Sequence, residues 1–321
     1  MPSNIDTLVT VFGGSGFVGR HTIRALAKRD FRIRVAVRRP DLAGHLQPLG
    51  RVGQIMPVQA NIRYPESVAA AAHGAHVVVN LVGILAEGGA QTFGAVQAEG
   101  AATVAAAAAA EGAQLVHMSA IGADENSASG YSRSKAAGEK AARAAVPSAT
   151  IFRPSLVFGP EDQFTNRFAT LARALPVLPL IGGDTKVQPT FVGDVATALA
   201  DAVEGKAKAA STYELGGPEE LTLRQVQDYI LKTIERSRLL VPVPFGIARM
   251  KAMVLQFAPG PLKLTPDQVE MLRVDNVVSQ AARDAGLTLQ GLGIAPTSLE
   301  QAAPAWLWRF RRTGQFRTKI S

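Results

Sequence analysis

The run Leu8-Val9-Thr10-Val11-Phe12 passes directly into Gly13-Gly14-Ser15-Gly16-Phe17-Val18-Gly19, and a helical pattern opens near Gly16. A strand, a glycine loop and a helix in that order belong to a parallel α/β sheet, where the chain must reverse sharply at the strand's end. Gly13 permits the tight turn, Gly16 a close backbone approach to a ligand, and Gly19 close packing of helix on strand. The helix amino terminus then offers free N–H groups and partial positive charge, which suits a pyrophosphate. An ordinary glycine-rich turn is the competing reading, and the flanking strand and helix argue against it.

The rest of the first half repeats the alternation. Strands are expected at Leu8 to Phe12, Arg32 to Val37, Ile55 to Gln59, His76 to Leu81, Gln114 to Met118 and Ala149 to Phe152, with helices starting near Gly16, Ser67, Gly94 and Ser132. Right-handed crossovers make this an α/β fold, a doubly wound parallel Rossmann sheet with a smaller mixed carboxyl-terminal region. Proline and glycine become frequent after Arg153, so the expected division is a nucleotide domain at 1–160, rejoined by 187–205, and a docking or substrate-like region at 161–321.

At 47% hydrophobic, a chain of 321 residues can bury a substantial core. No apolar run approaches the roughly 18 to 20 residues that span a bilayer, and the alanine run Ala101 to Ala110 is bracketed by Glu99 and Glu111. No targeting segment is expected before the first strand. With no cysteine and five scattered histidines, neither a disulfide, a thiol nucleophile nor a metal site is expected. The net charge of +8 calls for something acidic among the partners.

Nucleotide choice is read at the end of the second strand. An NAD site usually places an acid there, whereas this strand ends in Arg38-Arg39, with Asp41 only after Pro40. A guanidinium pairs well with a 2′-phosphate, and Arg20 on the first helix could assist, so the expected cofactor is NADP(H). Solvated surface arginines are the bland alternative. Asn61 is placed to address the adenine, or to serve a plain turn. Leu81-Val82-Gly83 would pass beside the cofactor ribose, and Gly83 could equally be a turn residue. Tyr131 and Lys135, four apart, share one helix face, so Lys135 could lower the phenol pKa and hold the nicotinamide ribose while Tyr131 acts as general acid.

Together these residues resemble the short-chain dehydrogenase/reductase superfamily in its extended or atypical branches. The resemblance rests on the glycine loop, on Tyr131 with Lys135, on Arg153-Pro154-Ser155-Leu156-Val157-Phe158-Gly159-Pro160, and on Gln188-Pro189-Thr190-Phe191-Val192-Gly193-Asp194-Val195-Ala196. It implies that Ser119, Pro154, Leu156 and Val157 line the cofactor cleft. It also implies a hydroxyl after the fifth strand to polarise a substrate carbonyl. His117-Met118-Ser119-Ala120-Ile121-Gly122 aligns Ala120 or Ile121 there, which removes an oxyanion donor typically worth about 3 kcal/mol.

Val241-Pro242-Val243-Pro244-Phe245-Gly246-Ile247-Ala248, Leu264 to Leu272, Asp275-Asn276-Val277-Val278 and Asn80-Leu81-Val82-Gly83-Ile84-Leu85 are similar to the nucleotide-binding accessory subunits of respiratory complex I. That resemblance implies a structural nucleotide, partners among the subunits of the peripheral arm, and a place near the membrane and quinone site. It implies the cytoplasmic face of a bacterial inner membrane or the mitochondrial matrix face. Two apolar basic segments, near 239–264 and 304–319, would meet the membrane surface. The first carries Arg249, Lys251 and Lys263, with Met250, Met253, Leu255 and Phe257 at near-helical intervals; a helix packed on its own core is the alternative. The second carries Trp306, Trp308, Arg309, Arg311, Arg312, Arg317 and Lys319, which also suits a protein hot spot. No nucleic-acid fold accompanies it, so no nucleic acid is expected. An NADPH-dependent reductase, a sugar-nucleotide epimerase and a redox-sensing regulator remain the alternatives to an accessory subunit.

Overall fold

The computed structural model describes residues 4–313, so Arg317 and Lys319 lie outside the described residues. The chain divides into a first unit, Met1–Pro154 with Val192–Leu215 and Val278–Ala295, and a second, Ser155–Phe191 with Gly216–Val277 and Pro296–Ser321.

Six strands of the first unit follow one another: β1 (Leu8–Phe12), β2 (Arg32–Val37), β3 (Ile55–Gln59), β4 (Val77–Asn80), β5 (Gln114–Met118) and β6 (Thr150–Pro154). After β7 (Val157–Phe158), β8 (Val177–Leu180), β9 (Lys186–Val187) and β10 (Thr190–Phe191) in the second unit, β11 (Thr212–Leu215) completes the sheet. Its order is β11-β6-β5-β4-β1-β2-β3, with every pairing parallel. β11, a four-residue edge strand, stands outside the strands expected from the sequence.

β1 is buried at all five positions, as a strand covered on both faces must be. The helices are α1 (Phe17–Ala27), α2 (Pro65–Ala72), α3 (Glu99–Ala110), α4 (Gly130–Ala145) and, after α5 (Thr165–Ala174) of the second unit, α6 (Val192–Val203). α3 buries Ala101, Val104, Ala105, Ala107 and Ala108, so its short side chains let the backbone pack closely into a core with Phe12, Val78 and Leu115. One turn of π-helix, Gly94–Ala98, precedes α3 where the sequence reading put the helix start.

The second unit is built from ribbons. β7 pairs with β10 and β8 with β13 (Leu239–Pro242) in parallel, while β12 (Leu221–Thr222) pairs with β9 antiparallel. α5 and α7 (Leu223–Thr233), the latter opened by a capping box of Thr222 and Gln225, enclose Phe158, Phe168, Leu178 and Ile230. Trp306, Leu307 and Phe310 belong to that core and are buried, and Trp308 is half-buried with its Nε1 donating to Ala305 O at 3.0 Å.

α8 (Phe245–Leu255) runs the other way. It buries only Ala248 and Ala252, against Val269 of α9 (Pro266–Met271), and exposes Ile247, Met250, Met253 and Val254, followed by Phe257. Among the described residues no helix is long and apolar enough to cross a membrane.

Candidate nucleotide site

The first unit holds the loop together from three sides. Gly13 N donates to Ala36 O at 3.2 Å, Leu81 N to Phe12 O at 3.0 Å, and Gly16 N to Gly13 O at 3.0 Å, so the ends of β2 and β4 abut the turn. Gly13 has φ +81°, which L side chains rarely adopt. A Cβ there would lie 3.1 Å from Leu81 C and Val82 N, and one on Gly19 would lie 2.6 Å from Gly14 Cα. Gly16 is different: it is exposed, extended in conformation and caps α1 without a side chain. Ser15, Phe17 and Val18 flank it, partly exposed, and Arg20 Nη2 reaches Ser15 O at 3.5 Å. Bare backbone at a helix amino terminus fits a pyrophosphate.

Arg38 and Arg39 are exposed beyond β2. Arg39 is already engaged: Nη2 lies 2.8 Å from Asp41 Oδ2 and Nε 3.1 Å from Oδ1. The pair raises the Arg39 pKa and lowers that of Asp41 through their hydrogen bond. Arg38 makes no hydrogen bond or ion pair among the described residues. Asn61 follows β3, whose extension Ala60 N donates to Val37 O at 2.9 Å. Asn61 Oδ1 accepts from Arg63 N at 3.2 Å, so its amide nitrogen is the part left for a ligand.

Tyr131 and Lys135 do sit on one face of α4, both buried, with Lys135 Nζ 5.9 Å from the Tyr131 ring centroid. Ser129 caps this helix by accepting from Ser132 N at 3.3 Å, and Phe93 meets the Tyr131 ring edge-on at 5.9 Å. Lys135 Nζ donates to Met118 O at 3.1 Å, and burial lowers its pKa to about 8. A Cβ on Gly83 would lie 3.3 Å from Nζ, so the β4 loop closes over the ammonium. Ser119 N donates to Phe152 O at 2.7 Å, while its hydroxyl is buried with no hydrogen-bond partner among the described residues. A buried hydroxyl without a partner at the end of β5 fits a polar ligand better than a filled core. Ala120 and Ile121 follow, half-buried and without a hydroxyl.

Three supports escaped the sequence reading. Gln97, placed by the π-turn, accepts from Ile84 N at 3.0 Å and donates to Ser134 Oγ at 2.7 Å, and Ser134 Oγ donates to Tyr131 O at 2.7 Å. Glu139 takes Arg153 bidentately at 2.8 and 2.7 Å. His117 on β5 lies 3.3 Å from Asn80 Nδ2, and burial, with Lys135 nearby, lowers its pKa to about 3. Gln97 sits three residues before the buried Gly100, and nothing in that spacing announces a π-turn. Pro154 ends β6 in the first unit, whereas Leu156 and Val157 belong to the second, where Leu156 O accepts from Thr190 N at 2.9 Å.

A parallel sheet in this order, a glycine loop after β1 and a buried tyrosine–lysine pair on α4 define an extended short-chain dehydrogenase/reductase. The family described as RmlD substrate binding domain matches residues 7–256. The chain is 33% identical to the mitochondrial NADH dehydrogenase [ubiquinone] 1 alpha subcomplex subunit 9 of Arabidopsis thaliana, over 97% of this chain and 80% of that one. It belongs to that subunit's family, within the extended short-chain dehydrogenases/reductases. It is also 37% identical to the ceramide reductase of Caulobacter vibrioides, over 62% of each chain. The NADPH-dependent quinone oxidoreductase QOR2 of Escherichia coli, solved with NADPH, shares the fold at TM-score 0.73 and 20% identity, over 93% of this chain and 99% of that one.

Proposed function

We propose that the chain is an accessory subunit of respiratory NADH:ubiquinone oxidoreductase that holds NADP(H) as a structural part. The observation that carries this is the relationship to subunit 9, which runs through almost the whole chain. The pyrophosphate would rest on Gly13 to Gly19, the 2′-phosphate on Arg38 with Arg20 and Arg39, the adenine against Asn61, and the nicotinamide ribose near Leu81 to Gly83, Ser119, Tyr131 and Lys135. Pro154, Leu156 and Val157 complete the set that the family implies. When bound, a nicotinamide supplies or accepts hydride. Ala120 and Ile121 offer no side-chain donor for an oxyanion, which supports a holding role over turnover. A ligand bound only by the native state stabilises by mass action, about 2.7 kcal/mol at one hundred times its Kd.

Contact with the membrane surface is assigned to α8. A helix that buries alanines and exposes methionine, valine and isoleucine beside Arg249 and Lys251 suits an anionic interface. The chain would then be peripheral, on the cytoplasmic face of a bacterial inner membrane or the matrix face of a mitochondrial one, against subunits of the peripheral arm. Affinity purification from gently solubilised membranes tests all of this. Co-isolation of the oxidoreductase with about one NADPH per chain is the expected result, and a nucleotide-free chain isolated without those subunits would sink the reading.

The similarity to ceramide reductase favours a second reading, an NADPH-dependent reductase of a lipid ketone with Tyr131 as proton donor and Lys135 orienting the ribose. Steady NADPH oxidation on a long-chain ketone, abolished by Tyr131→Phe, would establish it. No oxidation above the blank would exclude it.

A further inference from the structure

The segment that reads as an interfacial tryptophan–arginine strip turns its aromatic side inward. Ala303, Trp306, Leu307 and Phe310 are buried and Trp308 is half-buried, while Arg309 and Arg312 stay exposed. Other arginines of the second unit converge on the same place. Arg173 at the end of α5 lies with Cζ 6.0 Å from the Phe310 ring centroid, and Arg309 Cζ lies at 5.1 Å. Arg236 Nε donates to Phe310 O at 3.0 Å, Arg311 Nε to Thr233 O at 3.0 Å, and Arg238 Nε to Ala172 O, beside Arg173, at 2.8 Å. Arg312 is exposed next to them.

These charges are not balanced by acids. Glu235 pairs with Arg311 at 3.5 Å, while Arg173, Arg236, Arg238, Arg309 and Arg312 have no carboxylate within 4.0 Å among the described residues. Arg173 and Arg312 make no hydrogen bond at all among them. Arg236 has its pKa lowered by burial and then by Arg238, Arg312 and Arg173, the signature of mutual repulsion. The fold tolerates this because three Nε groups rest on main-chain carbonyls, two of them in the last turns of α5 and α7, where the helix dipole is negative. Alongside, Leu175, Val177 and Leu239 are 37%, 45% and 64% exposed.

We propose that this arginine cluster docks an acidic segment of a protein partner, several Asp or Glu side chains set beside one or two apolar ones. Among the described residues the cluster is built from arginine. Guanidinium groups pair bidentately with carboxylates, shed water more readily than ammonium, and are enriched in protein interfaces where lysine is depleted. An anionic bilayer surface attracts lysine and arginine alike through charge, and so does not account for a cluster built from arginine. Trp306 and Phe310 are spent in the core, so neither is free to insert into a bilayer.

The test places a photoreactive benzophenone amino acid at Ser237, exposed between Arg236 and Arg238, in the full chain in cells, and sequences the cross-linked peptides. The expected product is one protein segment rich in Asp and Glu, with yield falling at least about fivefold in Arg312→Glu and in Arg238→Glu/Arg312→Glu. Arg312→Glu alone keeps the test valid if the double variant misfolds, since Arg312 makes no hydrogen bond or ion pair among the described residues. Cross-links to phospholipid alone, to segments without acids, or with a yield indifferent to charge reversal would each overturn the proposal. An acidic segment from a protein outside the NADH:ubiquinone oxidoreductase would support it while sinking the subunit reading.

Discussion

Lys135 Nζ donates to the carbonyl oxygen of Met118 at 3.1 Å, tying the middle of α4 to the carboxyl end of β5. Burial lowers its pKa from 10.5 to about 8, so between those pH values the folded lysine is neutral while the unfolded one keeps its proton. The unfolded state binds more protons in that window, and this residue's contribution to stability therefore rises with pH across it, by on the order of 3 kcal/mol. Urea unfolding of Lys135→Met and the parent protein at pH 7 and pH 10 should show the variant's relative advantage shrinking at the higher pH. A pH-independent difference would mean the ammonium is not desolvated.

His117 gives the acid side of the same profile. Its pKa falls from 6.5 to about 3, through burial first and Lys135 second. As pH drops from 6.5 toward 3 the unfolded histidine takes a proton that the folded one refuses, so stability is lost through that window. His117→Gln should flatten this loss, and the His117 ring resonance should not titrate between pH 5 and 8.

Gln97 holds two buried partners at once. Gln97→Leu leaves Ile84 N unpaired, which costs about 1 to 3 kcal/mol, and removes the donor to Ser134 Oγ, whose own bond to Tyr131 O remains. The measurement is equilibrium unfolding together with NADPH affinity. Loss of affinity beyond the loss of stability would show that Gln97 sets the Tyr131–Lys135 geometry.

Two glycine variants should separate fold from ligand. Gly19→Ala forces a methyl against Gly14 Cα and should cost about 1 to 3 kcal/mol of stability. Gly16→Ala meets only Gly13 O at 3.2 Å, so the fold should survive while NADPH affinity drops at least about tenfold in calorimetric titration. Equal effects from both would argue against a pyrophosphate at Gly16.

Arg39 and Asp41 form an exposed pair that a 2′-phosphate must compete with. Asp41→Asn should raise the preference for NADPH over NADH by about threefold, and Arg38→Ala should lower it by about tenfold. Titrations of both nucleotides against both variants decide it. An unchanged ratio in Arg38→Ala would move 2′-phosphate recognition elsewhere.

The glycine loop and the Tyr131–Lys135 pair were legible because each is local: a reversal needs glycine at fixed offsets, and four residues make one helical turn. What stayed hidden depends on distant partners. β11 is Thr212-Tyr213-Glu214-Leu215, too short and too polar at Glu214 to stand out, and the sheet edge alone defines it. The return of Asp41 onto Arg39 and the π-turn that carries Gln97 have no period to betray them. Trp306 is the instructive reversal. Ala303, Trp306, Leu307 and Phe310 fall at i, i+3, i+4 and i+7, the spacing of a buried helical stripe, and that pattern outweighed the basic residues between them.

α8 exposes what most helices hide, and this gives the chain a built-in measure of whether it has found its place. An apolar patch of methionine, valine and phenylalanine that nothing among the described residues of the second unit covers is the kind of surface that chaperones and proteases read. The orphan chain should therefore be short-lived and prone to self-association. If the proposed accessory role holds, replacing Met250, Met253 and Phe257 together by Gln should lengthen its half-life in cells lacking the NADH:ubiquinone oxidoreductase, followed by pulse-chase.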